Sequence, residues 1–242
     1  MKQDLIDHAA TPRAVAPVTE PAFSRPLSSR ATRTPPPRSR ASSRGHIPSR
    51  TAADASLRLR HFESKLEQNV LYLLLARTDV VDIWDQPPPV SYADSRGNRH
   101  THVFDYLVTL ADGRRVAIAV KPSAIAERRN LRETLTLIRA ATPLTYAHEV
   151  VLVTERSYTP AAARNAQKLH EFRRAADPEA DDAVTRLIAI LNGPTTIAEL
   201  VAQSGLEGRA FRAVFRAIFA GFLRALDPGD ILPSTMIAPE VM

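Results

Sequence analysis

The 242-residue chain contains no cysteine, which excludes disulfides and thiolate metal sites and leaves a reducing compartment open. It has no apolar run near the roughly 20 residues that a membrane-spanning helix needs. The opening Met1–His8 carries acids and lacks a hydrophobic stretch, so it does not read as a secretory signal. Asp4, Asp7 and Glu20 argue against an organellar transit peptide, and the expectation is a cytoplasmic protein that meets no membrane. Lysine is nearly absent as well. Of the 32 basic residues only Lys2, Lys65, Lys121 and Lys168 are lysine; the rest are arginine, and the net charge is +6. That balance favours a polyanion, most simply double-stranded DNA, although an arginine-rich genome composition would give the same figure.

Scarcity makes Lys121 conspicuous. It ends the apolar run Val116–Val120, which predicts a buried strand. An ammonium there is costly without a partner or a task. Asp105 interrupts a second apolar strand, Val103 to Leu110, and Asp112-Gly113 between the two marks a tight hairpin. The hairpin sets a carboxylate beside an amine, both expected to be buried, an arrangement that metal-dependent phosphodiester cleavage uses. A buried ion pair without catalytic work is the competing reading. Upstream, Leu66, Val70, Leu71, Leu74 and Leu75 fall on one helical face, with Glu63 and Glu67 four apart near its start. Val80 to Val90 predicts a short strand ended by prolines, with Gln86 just before them.

Leu66-Glu67, Val81–Ile83, Gln86-Pro87, Phe104–Val108 and Ile118–Pro122, in that order, resemble the catalytic domain of TnsA-type transposon endonucleases, a branch of the restriction-endonuclease-like PD-(D/E)xK nucleases. The resemblance covers about residues 57 to 158. It implies an α/β domain with a mixed central sheet flanked by helices, and a Mg²⁺ (or Mn²⁺) ion held by Asp105 and Glu67. Glu67, Asp105 and Lys121 would be the catalytic residues, with Lys121 orienting the attacking water or stabilising phosphate charge. It also implies DNA nicking at transposon ends that leaves a 5′ phosphate and a 3′ hydroxyl. The partners would be a DDE-type transposase subunit and an ATPase regulator, in a bacterial cytoplasm at the nucleoid. One departure stands out: where the pattern has an acid or amide two residues before the lysine, this chain has Ala119. Backbone carbonyls could complete the shell, or a carboxylate from Glu127, Glu133 or Glu63 could substitute, or the site could be inactive.

The remaining segments divide the chain. Residues 1–55, rich in Pro, Ser, Arg and Thr, predict a disordered tail. Arg30, Arg33, Arg38, Arg40 and Arg44 within it suggest either a DNA-binding arm or a solubilising leader. Residues 56–158 form the nuclease-like domain, in which 124–141 predicts one helix and Glu149–Val153 a buried strand. His100 and His102 share a strand face, which admits a metal role but favours an exposed strand end. A helix over 159–176 lies in the linking segment 159–180. Residues 181–242 predict a helix, a short helix, a Gly205 turn and a longer helix, with a hairpin over 226–237: the order of a winged helix. Arg209, Arg212 and Arg216 on the longer helix would face a DNA groove or solvent, and the domain would bind DNA or dock partner proteins. Two other readings stay open. One is a catalytically degenerate nuclease fold that acts in DNA binding and assembly. The other is a plain winged-helix regulator, which leaves the Glu67, Asp105, Lys121 order unexplained.

Overall fold

The computed structural model describes residues 25–33 and 43–240. Its centre is a four-stranded mixed sheet of β3 (Val80–Asp85), β6 (Tyr106–Leu110), β7 (Arg115–Val120) and β8 (Glu149–Val153), in that spatial order. The first two junctions are antiparallel, and β7 pairs with β8 in parallel. The β6–β7 turn follows from Asp112-Gly113: Gly113 takes φ +84°, where a Cβ would be strained, and Asp112 accepts from the Arg114 amide.

The predicted helix after residue 64 is α1 (Lys65–Ala76), capped by the Ser64 hydroxyl. It lays Val70, Leu71 and Leu74 against Ile83, Tyr106, Val108, Ile118 and Val120 on one sheet face. The single helix expected over 124–141 is instead two, α2 (Ser123–Arg128) and α3 (Leu131–Ala141). The break falls at Asn130, whose left-handed φ of +47° ends the first helix, and asparagine tolerates that conformation better than most residues. Between them, α2 and α3 span the crossover from β7 to β8 that a parallel junction requires. Leu135 and Ile138 of α3 cover the other face, over Leu107, Ala117 and Ala119. The strand at 149–153 is half-buried rather than buried, because it is the sheet edge.

Two short hairpins flank the sheet. One pairs β1 (Gly45–Ser49) with β2 (Arg58–Phe62), and the other pairs β4 (Val90–Ala93) with β5 (Arg99–His102). The first corrects the expectation of disorder up to residue 55. Residues 45–49 form a strand, and residues 25–33 lie as an extended strap whose Leu27 bridges to Arg58. The remainder of the predicted tail, 1–24 and 34–42, lies outside the described residues.

The linking helix α4 (Pro160–Arg174) packs along α1 and also meets the C-terminal unit. That unit comprises α5 (Pro178–Ala189), β9 (Thr195–Thr196), α6 (Ile197–Ser204), α7 (Glu207–Phe219), β10 (Leu223–Ala225) and β11 (Met236–Pro239). α5 begins at Pro178 rather than Asp181, because Asp177 caps it. Gly205, at φ +67°, ends α6, as the turn reading required. The three strands form one sheet in the order β10-β11-β9. Val184, Ile197, Leu200, Val214, Phe215 and Ile237 are among the residues that fill a separate core.

Candidate active site

The end of the β6–β7 hairpin brings Asp105 and Lys121 together. Asp105 precedes β6, and its backbone amide already bonds the Ile118 carbonyl at 2.9 Å, so its side chain is set by the sheet register. Asp105 Oδ2 accepts from the Val120 amide at 2.6 Å and lies 3.5 Å from Lys121 Nζ. Asp105 is buried, but the amine is not: the Lys121 side chain is 39% exposed. The amine was expected to be buried. The strand ends at Val120, so only the stem of Lys121 packs and its head reaches the mouth of the site.

Glu67 supplies a second buried carboxylate from the first turn of α1. Its Oε2 accepts from the Glu63 amide at 2.7 Å and its Oε1 from the Ser64 hydroxyl at 3.0 Å. These bonds close the capping arrangement at the helix start and lock the rotamer. Glu63 lies just outside the helix rather than on its face, because Ser64 is the cap. Tyr106, fully buried, donates its hydroxyl to the Glu67 carbonyl. Burial, reinforced by the charge of Asp105, pushes the Glu67 carboxyl up to about 7. Burial likewise raises Asp105, against the lowering influence of Lys121.

Two buried carboxylates that repel each other form a donor set suited to a hard divalent cation, which would relieve both penalties. Mg²⁺ is commonly held by one or two carboxylates with water and substrate phosphate completing its shell, so two acids are sufficient. Among the described residues no cluster of three or more His, Cys, Asp or Glu side chains is arranged as a metal site. Ala119 explains part of this. It is fully buried with Leu135 and Ile138 in the core beneath α3, so the position serves packing.

The three substitute carboxylates fall in different places. Glu127 is exposed and pairs with Arg156 at 2.8 Å, and Glu133 is exposed and bonds Asn130. Neither contacts Asp105 or Lys121. Glu63 is adjacent to the site: beyond its amide bond to Glu67, its carboxylate pairs with Arg33 at 2.5 Å.

The arginines expected to meet DNA are mostly engaged within the chain. Arg30 bonds Asp82 at 2.6 Å and the Ile83 carbonyl, and lies 5.2 Å from the centre of the Trp84 ring. Arg209 bonds Asp177 and Glu179, and Arg216 bonds Asp181 and the Phe172 carbonyl. Arg212 makes no ion pair among the described residues, Arg44 is half-buried with a partner, and Arg38 and Arg40 lie outside the described residues.

Several polar neighbours had no signal in the sequence beyond lying near a motif block. Asp85 is fully buried, accepts from the His61 amide at 2.8 Å and from the Ser29 hydroxyl, and leaves Oδ1 without a partner among the described residues. Gln86, at φ +44°, donates its amide to the Asp105 carbonyl at 3.0 Å and has an orphaned Oε1. His102 is half-buried against the Phe104 ring rather than exposed, with Nε2 unpartnered, and burial holds its imidazole down to about 4. His100, by contrast, is exposed and bonds Asp94.

A mixed sheet that converges two buried carboxylates and a lysine at one hairpin end has the layout of a nuclease-type domain. Residues 77–176 match the family model of the TnsA-like endonuclease N-terminal domain, which supports the resemblance to TnsA-type transposon endonucleases over this part of the chain. The match contains Asp105 and Lys121, runs through α4, and begins after Glu67. No curated protein matches the chain.

Proposed function

We propose that the chain is a Mg²⁺-dependent DNA endonuclease subunit of a Tns-like transposase, cutting double-stranded DNA at transposon ends. The observation that carries this is the Asp105–Lys121 contact at 3.5 Å beside the buried Glu67. Asp105 and Glu67 would hold the cation, and their oxygens are pre-set by the Val120 and Glu63 amides and the Ser64 hydroxyl. When bound, the metal lowers the pKa of a coordinated water and neutralises charge on the scissile phosphate. Lys121, with its head in solvent reach, positions the attacking water or meets the developing phosphate charge.

The family resemblance supports a DDE-type transposase subunit and an ATPase regulator as partners. In the C-terminal unit, helix, strand, helix, helix and hairpin, with the β10-β11-β9 sheet order, support a winged helix. Two of its three candidate groove arginines are spent on α5 and its cap, which favours partner docking over base reading. The buried Ala119 favours a second reading, a degenerate nuclease fold retained for assembly.

Calorimetric titration of Mn²⁺ into the wild type and Asp105→Ala, with nicking of supercoiled DNA by the same samples and with added partner proteins, separates the two. Binding and nicking that vanish together in the variant support the enzyme. Metal binding indifferent to Asp105, with no cut even beside partners, overturns it. Lys121→Ala is expected to retain metal binding and fold while losing about 10²-fold or more in cleavage.

A further inference from the structure

The two edges of the central sheet differ. On the β3 side the outward carbonyls are covered: Val81 accepts from the Ala53 amide at 3.0 Å, and Ile83 accepts from Arg60 Nε at 3.2 Å and from Arg30 at 3.0 Å. β8 forms the other edge, and among the described residues no strand but β7 pairs with it. His148 donates its amide to the Arg115 carbonyl on the β7 side, so by strand alternation Glu149 and Val151 turn their N–H and C=O groups outward. The edge reads Glu-Val-Val-Leu-Val, half-buried, with no lysine, proline or bulge to deter an added strand.

Beside this edge runs an open groove of about 240 Å³ between Arg132, Leu135, Thr136 and Arg139 of α3 and Val150 and Leu152 of β8. Arg132 and Arg139 are exposed, and neither has an ion pair among the described residues. The acids next to them in the fold are engaged elsewhere, Glu133 with Asn130 and Glu149 with Arg114. Val150 and Leu152 belong to the core under α3, whereas Val153 packs on the α1 side, a face that Val151 shares.

We infer that the β8 edge and this groove dock an extended acidic segment of a partner protein, added to the sheet as a further strand. Main-chain bonds to Glu149 and Val151 supply affinity, and alternate side chains supply selectivity. Acids on the α3 face meet Arg132 and Arg139, and apolar residues between them lie beside Val151 and Val153. The two arginines stand about 10 Å apart along the helix, and same-face positions of a strand recur every ~7 Å, so acids on one strand reach both. A second copy of this chain fits less well, because β8 against β8 brings four unpaired guanidinium groups to one seam. DNA could meet the arginines but has no ladder of N–H and C=O groups to match the strand edge. The inference goes beyond the endonuclease reading and stands whether or not the site cuts.

The test is fluorescence anisotropy of a short labelled peptide of alternating glutamate and valine, titrated with the full chain. The wild type is expected to bind it, and a peptide with lysine in place of glutamate is not. Reversing both arginines, Arg132→Glu with Arg139→Glu, should weaken binding by about 10-fold or more. Val151→Pro removes an outward N–H and no bond to β7, and should weaken binding similarly. N-methylation of alternate peptide residues needs no protein variant: one of the two alternating sets should abolish binding and the other spare it. Absence of binding to the wild type, or equal binding of the two methylated sets, would overturn the docking site. So would wild-type affinity in Val151→Pro together with displacement of the peptide by a DNA duplex, which would assign the arginines to phosphates instead. Should Val151→Pro fail to fold, the methylated peptides decide the matter.

Discussion

At the scale of the residue, the site stores unfavourable electrostatics in Glu67. Its carboxyl titrates near 7 in the native chain and near 4.5 when free of the fold. Between those values the native state holds a proton that the unfolded state has lost, so stability falls as pH rises through the window and stays lowered above it. Below pH 4.5 both states are protonated and the cost vanishes. Glu67→Gln should therefore exceed the wild type in stability by about 1–3 kcal/mol at pH 8 and match it at pH 4.5, as read by urea unfolding. Mn²⁺ should stabilise the wild type and not the variant. Equal stabilities at pH 8 would mean that the buried carboxylate carries no penalty for a cation to relieve. Ala119 marks the opposite economy: restoring the acid there places a charge in the core under α3, so Ala119→Asp should destabilise the chain by about 3 kcal/mol or more, checked by thermal melting.

At the scale of the element, what could be read from the sequence was what repeats or alternates locally. Leu66 to Leu75 announced α1, Asp112-Gly113 the β6–β7 hairpin, and Gly205 the turn that ends α6, because each signal lies within a few residues of its effect. Asp105 and Lys121 stood out for a similar reason, as polar residues breaking apolar runs, whereas Glu67 was singled out by the family resemblance. The strap was not. Ser29, Arg30 and Thr32 owe their order to Asp85, Asp82 and Gln86, more than 50 residues away, and no local pattern in a Pro- and Arg-rich stretch reveals such partners. The β1–β2 hairpin was hidden likewise. Its connection is built on Asp54, which accepts from Arg58, Arg60 and Thr51, and Arg60 is fully buried. Burial tends to raise the Asp54 carboxyl, but those bonds outweigh it and hold the group well below the carboxylate range. Asp54→Asn leaves the Arg60 guanidinium without its counterion, and the expected cost is about 3–5 kcal/mol in unfolding free energy. A change under 1 kcal/mol in the denaturant midpoint analysis would show that the neutral bonds of Arg60 to Ser49 and Thr51 suffice.

At the scale of the whole molecule, α4 makes two cores behave as one. Ala166 packs into the nuclease core and Leu169, three residues on, into the C-terminal core. The loop between β10 and β11 then closes back on the same helix instead of standing free as a wing. Asn165 donates to the Gly229 carbonyl at 2.9 Å and accepts from the Ile231 amide at 3.1 Å, and Arg164 makes a two-pronged pair with Asp230. A docked loop cannot also lie along a DNA backbone without giving up these bonds, which tie this end of the C-terminal unit to α4. The wild type should accordingly unfold in a single calorimetric transition. Asn165→Leu strands the Ile231 amide, a buried donor, at an expected cost of about 1–3 kcal/mol. The variant should lose hydrogen-exchange protection over residues 229–232 and separate the unfolding of the C-terminal core from that of the sheet. Protection at Ile231 that survives the substitution, with one sharp transition retained, would assign the coupling to the α1–α4 packing alone.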